Sequence, residues 1–131
     1  MRHRQAEAIR FPEVEPLLRV HLVPLLSVPV HTTMPGKLPD QFVLVRRTGG
    51  PRTGLVVDQP MVTLECWART VPAASDLAQL VRAYVNATPG RLAGVHRVQE
   101  FSGPALLPSP DAPGHARYSW TVAVDVRGHA L

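Results

Sequence analysis

Two strand-like runs flank a glycine-containing turn, and an amphipathic helix follows the second run at once. The runs are Gln41 to Arg47 and Met61 to Arg69, the turn region Thr48 to Gln59 holds Gly49-Gly50, and the helix is Ala73 to Thr88. This order leaves few folds open. A hairpin exposes one apolar face, and the helix that follows crosses over to cover it before the chain returns to more sheet. Val62, Leu64, Cys66 and Ala68 line the face that fits a core, and Thr63, Glu65, Trp67 and Arg69 line a mixed face that is not expected to be deeply buried against helices. Trp67 on that mixed face has two readings of equal weight: a tryptophan covered by a neighbouring strand or loop, or an aromatic anchor for another subunit.

Elements on either side extend the pattern. Val14, Leu17, Leu18, His21 and Leu22 recur at helical spacing, Pro12 and Glu13 suit the start of a helix, and Pro24 must end or kink it, so a helix is predicted over residues 13 to 23. Val28 to Met34 reads as a strand, with Pro29 marking an edge or first position. Thr70 caps the second helix and Pro72 lies in its first turn; Ala73, Leu77, Leu80, Val81 and Tyr84 form its predicted apolar stripe, widened by Ala74 and Val85 and ended by Pro89-Gly90. Val95 to Phe101 is a strand. Ser102 to Gly114, with four prolines, is an expected exposed excursion, and Tyr118 to Arg127 alternates as a half-buried strand. The predicted class is therefore α+β: a mostly antiparallel sheet of about five strands, with two helices packed on one face. Residues 1–10 are expected to be a flexible basic tail and residues 11–131 a single domain.

Charge and composition exclude several functions. Arg2, Arg4 and Arg10 against Glu7 put half of the +4 formal charge into the first ten residues, so the remainder lacks the clustered basic face of a nucleic-acid binder. Arg46-Arg47 is a single dipeptide whose side chains point to opposite faces. The lone Cys66 excludes an intramolecular disulfide and a cysteine-rich zinc site, and it sits in an apolar alternation with no histidine near it in sequence. No two of the six histidines are three to five residues apart, as common zinc ligands are. Gly49-Gly50 is not followed by the Lys-Ser or Lys-Thr of a phosphate loop, and no Gly-x-Ser-x-Gly elbow occurs. Glu65, Asp58 and Asp125 are better read as salt-bridge partners of Arg46, Arg47 or Arg127, within or between subunits, than as an acid–base pair. No catalytic, cofactor or metal residue is nominated. The candidate interface residues are Arg46, Arg47, Asp58, Glu65, Trp67, Asp125 and Arg127. No apolar run reaches the roughly 20 residues of a membrane span, and no secretory leader is recognisable, so a cytoplasmic origin is expected.

The succession Pro12 to Leu22, Thr33-Met34-Pro35, Phe42-Val43-Leu44-Val45-Arg46-Arg47-Thr48-Gly49-Gly50, Asp58, Cys66-Trp67-Ala68, Ala74-Ser75-Asp76-Leu77-Ala78 and Arg117-Tyr118-Ser119-Trp120 resembles the tail terminator (tail-completion) proteins of long-tailed bacteriophages, siphoviruses of the actinobacterial type. The likeness spans most of residues 11 to 127 and lies in order and spacing; the basic N-terminal segment and Pro24 depart from it. It implies a virion protein, assembled in the host cytoplasm, that forms a hexameric ring at the head-proximal end of the tail. Such a ring stops polymerisation of the tube and offers the head-joining surface. Its partners are copies of itself, the major tail tube protein and a head–tail connector or neck protein. DNA passes through the lumen without sequence-specific binding, and no membrane, cofactor or catalysis is involved. The loops Pro35 to Asp40, Thr48 to Gln59 and Ser102 to Gly114 are expected to supply contacts and to become ordered on stacking. The rival readings are a head–tail adaptor or minor tail protein, a small α+β ligand-binding domain or enzyme, and a nucleic-acid-binding module.

Overall fold

A computed structural model describes residues 7–131. In chain order its elements are β1 (Ile9–Arg10), α1 (Val14–Leu22) extended by a 3₁₀ turn (Val23–Leu25), β2 (Val30–His31), β3 (Phe42–Gly49), β4 (Val57–Asp58), β5 (Met61–Ala68), α2 (Val71–Asn86), β6 (Val95–Glu100), β7 (Ala105–Leu106), β8 (Ala116–Arg127) and β9 (His129–Ala130). Pro24 falls in the 3₁₀ turn, where the α-helix has already stopped, and Pro16 falls in the first turn of α1, where its missing donor is harmless. Thr70 caps α2: its hydroxyl accepts from the Ala73 amide at 3.3 Å.

The class is α+β, as the sequence predicts. The main sheet runs β2-β3-β5-β8, and β8 is its hub. One edge of β8 takes β5 through Ala116–Ala123 and then β4 through Val126 and Arg127; the other takes β7 at Tyr118–Ser119 and β6 through Val122–Val126. All these pairs are antiparallel. Only β2 runs parallel to β3, which the alternation of Val28 to Met34 does not reveal, and that predicted strand shrinks to two residues. Pro29, just before it, suits the observed edge position.

Both helices lie on one sheet face. Val14, Leu18 and Leu22 of α1 and Leu77, Ala78, Val81 and Val85 of α2 close over Val43, Val45, Val62, Leu64, Cys66, Trp120, Val122 and Val124. The buried α2 stripe keeps Leu77 and Val81 and lies toward the Ala74 and Val85 side of the predicted one. Ala74, Leu77, Ala78, Val81 and Val85 are buried, whereas Leu80 is exposed and Ala73 and Tyr84 only half-buried. Two small alanines toward the sheet allow close approach, and the larger Leu80 is left at the flank.

The predicted basic tail requires correction at its C-terminal end. Residues 1–6 lie outside the described residues, but Ile9–Arg10 pair with His129–Ala130 in a separate two-stranded ladder. Gly128 makes this possible. A Cβ there would come within 2.8 Å of the Phe11 ring, so only a bare backbone lets the N-terminal segment lie across it. Gly50 is similarly required in the β3–β4 connection: its φ is +94°, and a Cβ would meet the Met61 amide at 2.5 Å. Among the described residues, no helix is long and apolar enough to cross a membrane.

Candidate functional site

The sheet face opposite the helices carries a cluster of charged and aromatic groups, placed by the β3-β5-β8 register. Phe42, Trp67 and Arg117 lie in one row across the three strands, and Leu44, Glu65 and Ser119 lie in the next. Alternation puts the side chains of both rows on the face away from the helices. Phe42 and Trp67 stack with centroids 5.3 Å apart and planes 10° off parallel, the Arg117 guanidinium sits over the indole at 5.3 Å, and His115 meets both rings edge-on.

No helix among the described residues covers this face, as the sequence predicts, yet it is buried. Trp67 is 1% exposed and Glu65 2%. The cover is the segment between β6 and β8, read from its prolines as an exposed excursion. It adds β7 to the sheet, buries Ala112 against Phe42 and Trp67, and is fastened where the His115 ring meets the Pro39 carbonyl at 2.8 Å. The Arg69–Asp40 ion pair at 3.0 Å clasps the same end. Of the two readings of Trp67, coverage by its own chain is the one found, and the indole presents no surface to a partner in this conformation.

Glu65 is the electrostatic centre. Its carboxylate accepts from Arg46 and, at 3.2 Å, from Arg117, so a buried anion is held between two cations. Arg117 also donates to the Leu107 carbonyl at 2.7 Å, which ties the ion pair to the covering segment. A recess of about 200 Å³ opens here, lined by Leu44, Arg46, Glu65, Trp67, Asp111 and Arg117 among others. Arg47 points the other way, as predicted, and pairs with the buried Asp58 at 3.1 Å. Its backbone amide donates to Glu15 at 2.9 Å, which locks α1 to β3. Asp125 and Arg127 do not pair; Asp125 instead accepts from Gln59 at 2.8 Å, and Arg127 is exposed.

The structure thus joins Arg46 with Glu65 and Arg47 with Asp58; β4 sets Asp58 opposite Val126, between Asp125 and Arg127, but neither of these enters an ion pair among the described residues. It adds Arg117, His115 and Phe42, which sequence reading did not nominate. The alternation of residues 118 to 127, carried one step back, would have put Arg117 on the polar face; its register opposite Trp67 has no local signal.

Burial, and secondarily the Glu65 carboxylate, pushes the Cys66 thiol far above its ordinary pKa, so it stays a neutral core group. Among the described residues, no group of three or more His, Cys, Asp or Glu is placed to hold a metal. On the helix side, the Arg82 guanidinium donates to Glu100 at 2.7 and 2.9 Å. This hydrogen bonding holds the Glu100 carboxyl below its usual range, against an opposing effect of partial burial and with smaller help from Asn86 and the Arg82 charge. A lowered folded-state pKa stabilises the fold above the ordinary carboxylate value, and that stability is lost as pH falls through the folded value. The stability difference between the wild-type chain and Glu100→Gln is therefore expected to be full at pH 7 and to shrink in urea melts as pH falls below the ordinary carboxylate value.

The chain matches no protein-family model and no curated protein sequence.

Proposed function

We propose that this chain is a structural virion protein that caps the head-proximal end of a long phage tail tube. It assembles there as a ring, stops further tube polymerisation and provides the surface to which the head is joined. The order of sequence motifs suggests the role, and one observation carries it furthest: the two faces of the sheet are closed differently. Both helices cover one face, while the other is closed by the chain's own β6–β8 segment, which leaves Arg46 at the rim of the buried Arg46–Glu65–Arg117 cluster. A sheet backed by helices on one side and braced by a buried ion cluster on the other suits a rigid ring subunit around a water-filled passage, where DNA must slide past without being read. Contacts come from copies of the chain, from the tube protein and from a connector or neck protein. Work of this kind requires shape-matched docking and no bond making or breaking.

Deletion of the gene in the phage, followed by electron microscopy of lysates, tests the role. Abnormally long, headless tails are the expected result. Tails of normal length joined to heads would overturn the proposal.

A further inference from the structure

The two ends of the sheet differ, and each carries apolar surface that its own chain leaves uncovered. At one end β2 pairs only with β3. Beside it lies a groove of about 280 Å³ between the Leu26–Val28 segment and the N-terminal half of α2, lined by Leu77, Leu80 and Asp76. Leu80 is 43% exposed, and Asp76 is exposed with no ion pair among the described residues. At the opposite end β6 and β7 pair, among the described residues, only with β8, and their outer backbone edge takes no strand from these residues. Phe101 is 56% exposed there, with Leu106 and Leu107 exposed beside it. Arg97 on β6 is exposed and likewise outside every ion pair among the described residues. An unpaired strand edge next to uncovered aromatic and aliphatic side chains marks a surface that meets another chain.

Charge decides which chain fits. Each patch pairing with its own copy would bring Asp76 to Asp76 or Arg97 to Arg97. Joining the unlike patches sets apolar against apolar and carboxylate toward guanidinium. Unlike patches on different flanks of one molecule make a head-to-tail contact, which repeats from copy to copy until it closes. We infer that a second copy of this chain seats its β6–β7 edge, with Phe101 foremost, in the Leu26–Leu80 groove of the first, with Arg97 directed to Asp76. This assignment rests on the reading of the chain as a self-assembling ring and gives that ring its subunit contact. It moves the contact from the candidates nominated by sequence to the two ends of the sheet.

Disulfide trapping tests it on the full chain. Cys66 is buried and un-ionised, so engineered thiols react without it. Leu80→Cys and Phe101→Cys replace exposed side chains, and unchanged thermal melts would certify the fold. Under mild oxidation, an equimolar mixture of the two variants is expected to give a linked heterodimer at about ten times the yield of either variant alone. A chain carrying both substitutions should give a ladder of multimers. Asp76→Arg in the Leu80→Cys chain should lower the mixed yield, and Arg97→Asp in its partner should restore it. Equal self-linking of the single variants, or no mixed product, overturns the assignment. Rings visible at tube ends without the Leu80–Phe101 product would reject this contact and leave the proposed role standing. Ladders from a protein whose deletion leaves tail length unchanged would do the reverse.

Discussion

Replacing Trp67 with alanine is expected to lower the stability of the chain by about 3–5 kcal/mol, or roughly 15 °C in Tm for a domain of this size. Trp67 and Phe42 are the largest fully buried side chains, and together with Ala112 they form a second cluster on the side of the sheet away from the helices. Truncation leaves a cavity under the β6–β8 segment and removes the surface on which Arg117 rests. The segment cannot collapse far to fill it, because β7 and the His115–Pro39 contact fix its height. Trp67→Phe should cost much less, since it keeps the stack on Phe42 and deletes an indole N–H that is buried without an acceptor. Urea melts of the two variants separate these effects. A loss below about 1 kcal/mol for the alanine variant would show that the cluster contributes little and that the segment does not seal it.

Glu65→Ala is expected to cost a comparable amount, about 3–5 kcal/mol, because it leaves Arg117 and Arg46 facing each other with no carboxylate between them. The two arginines are not equivalent. Arg46 is about half exposed and water compensates it, so Arg46→Ala should cost under about 1 kcal/mol. Arg117 is largely covered and holds Leu107, so Arg117→Ala should cost more and loosen the covering segment. Equilibrium denaturation gives the ranking. Arg46→Ala matching or exceeding Glu65→Ala would show that the carboxylate is not the centre of the cluster.

Much of the architecture was legible because local chemistry determines it. The cap at Thr70, the stop before Pro24, the alternation of Met61 to Ala68 and the opposite directions of Arg46 and Arg47 each follow from a few adjacent residues. What stayed hidden depends on partners distant in the chain. A period-two pattern is the same in either direction, so it could not show that β2 runs parallel to β3. Proline content identified residues 102 to 114 as irregular and offered no way to tell that this irregular segment lies on Trp67. Glu65 was expected to form a salt bridge, but the second cation, Arg117, lies 52 residues away and is brought near only by the β5–β8 register. Leu80 and Phe101 were assigned to the core stripe and to a strand end because their types suit those places; only the packing reveals that neither is covered.

The hub position of β8 bears on how the chain acquires its shape during synthesis. Every ladder on the far side of β5 includes β8, and β8 follows β4, β5, β6 and β7 in the chain. A nascent polypeptide can zip β2, β3 and β5 together early, but β6 and β7 have no mate until residues 116–127 leave the ribosome. Until then Val62, Leu64 and the apolar side of α2 wait half-wrapped, a long-range closure of the slow kind. Ribosomal pausing before codon 116 should therefore prolong a sticky intermediate, whereas pausing after β8 has emerged should be harmless.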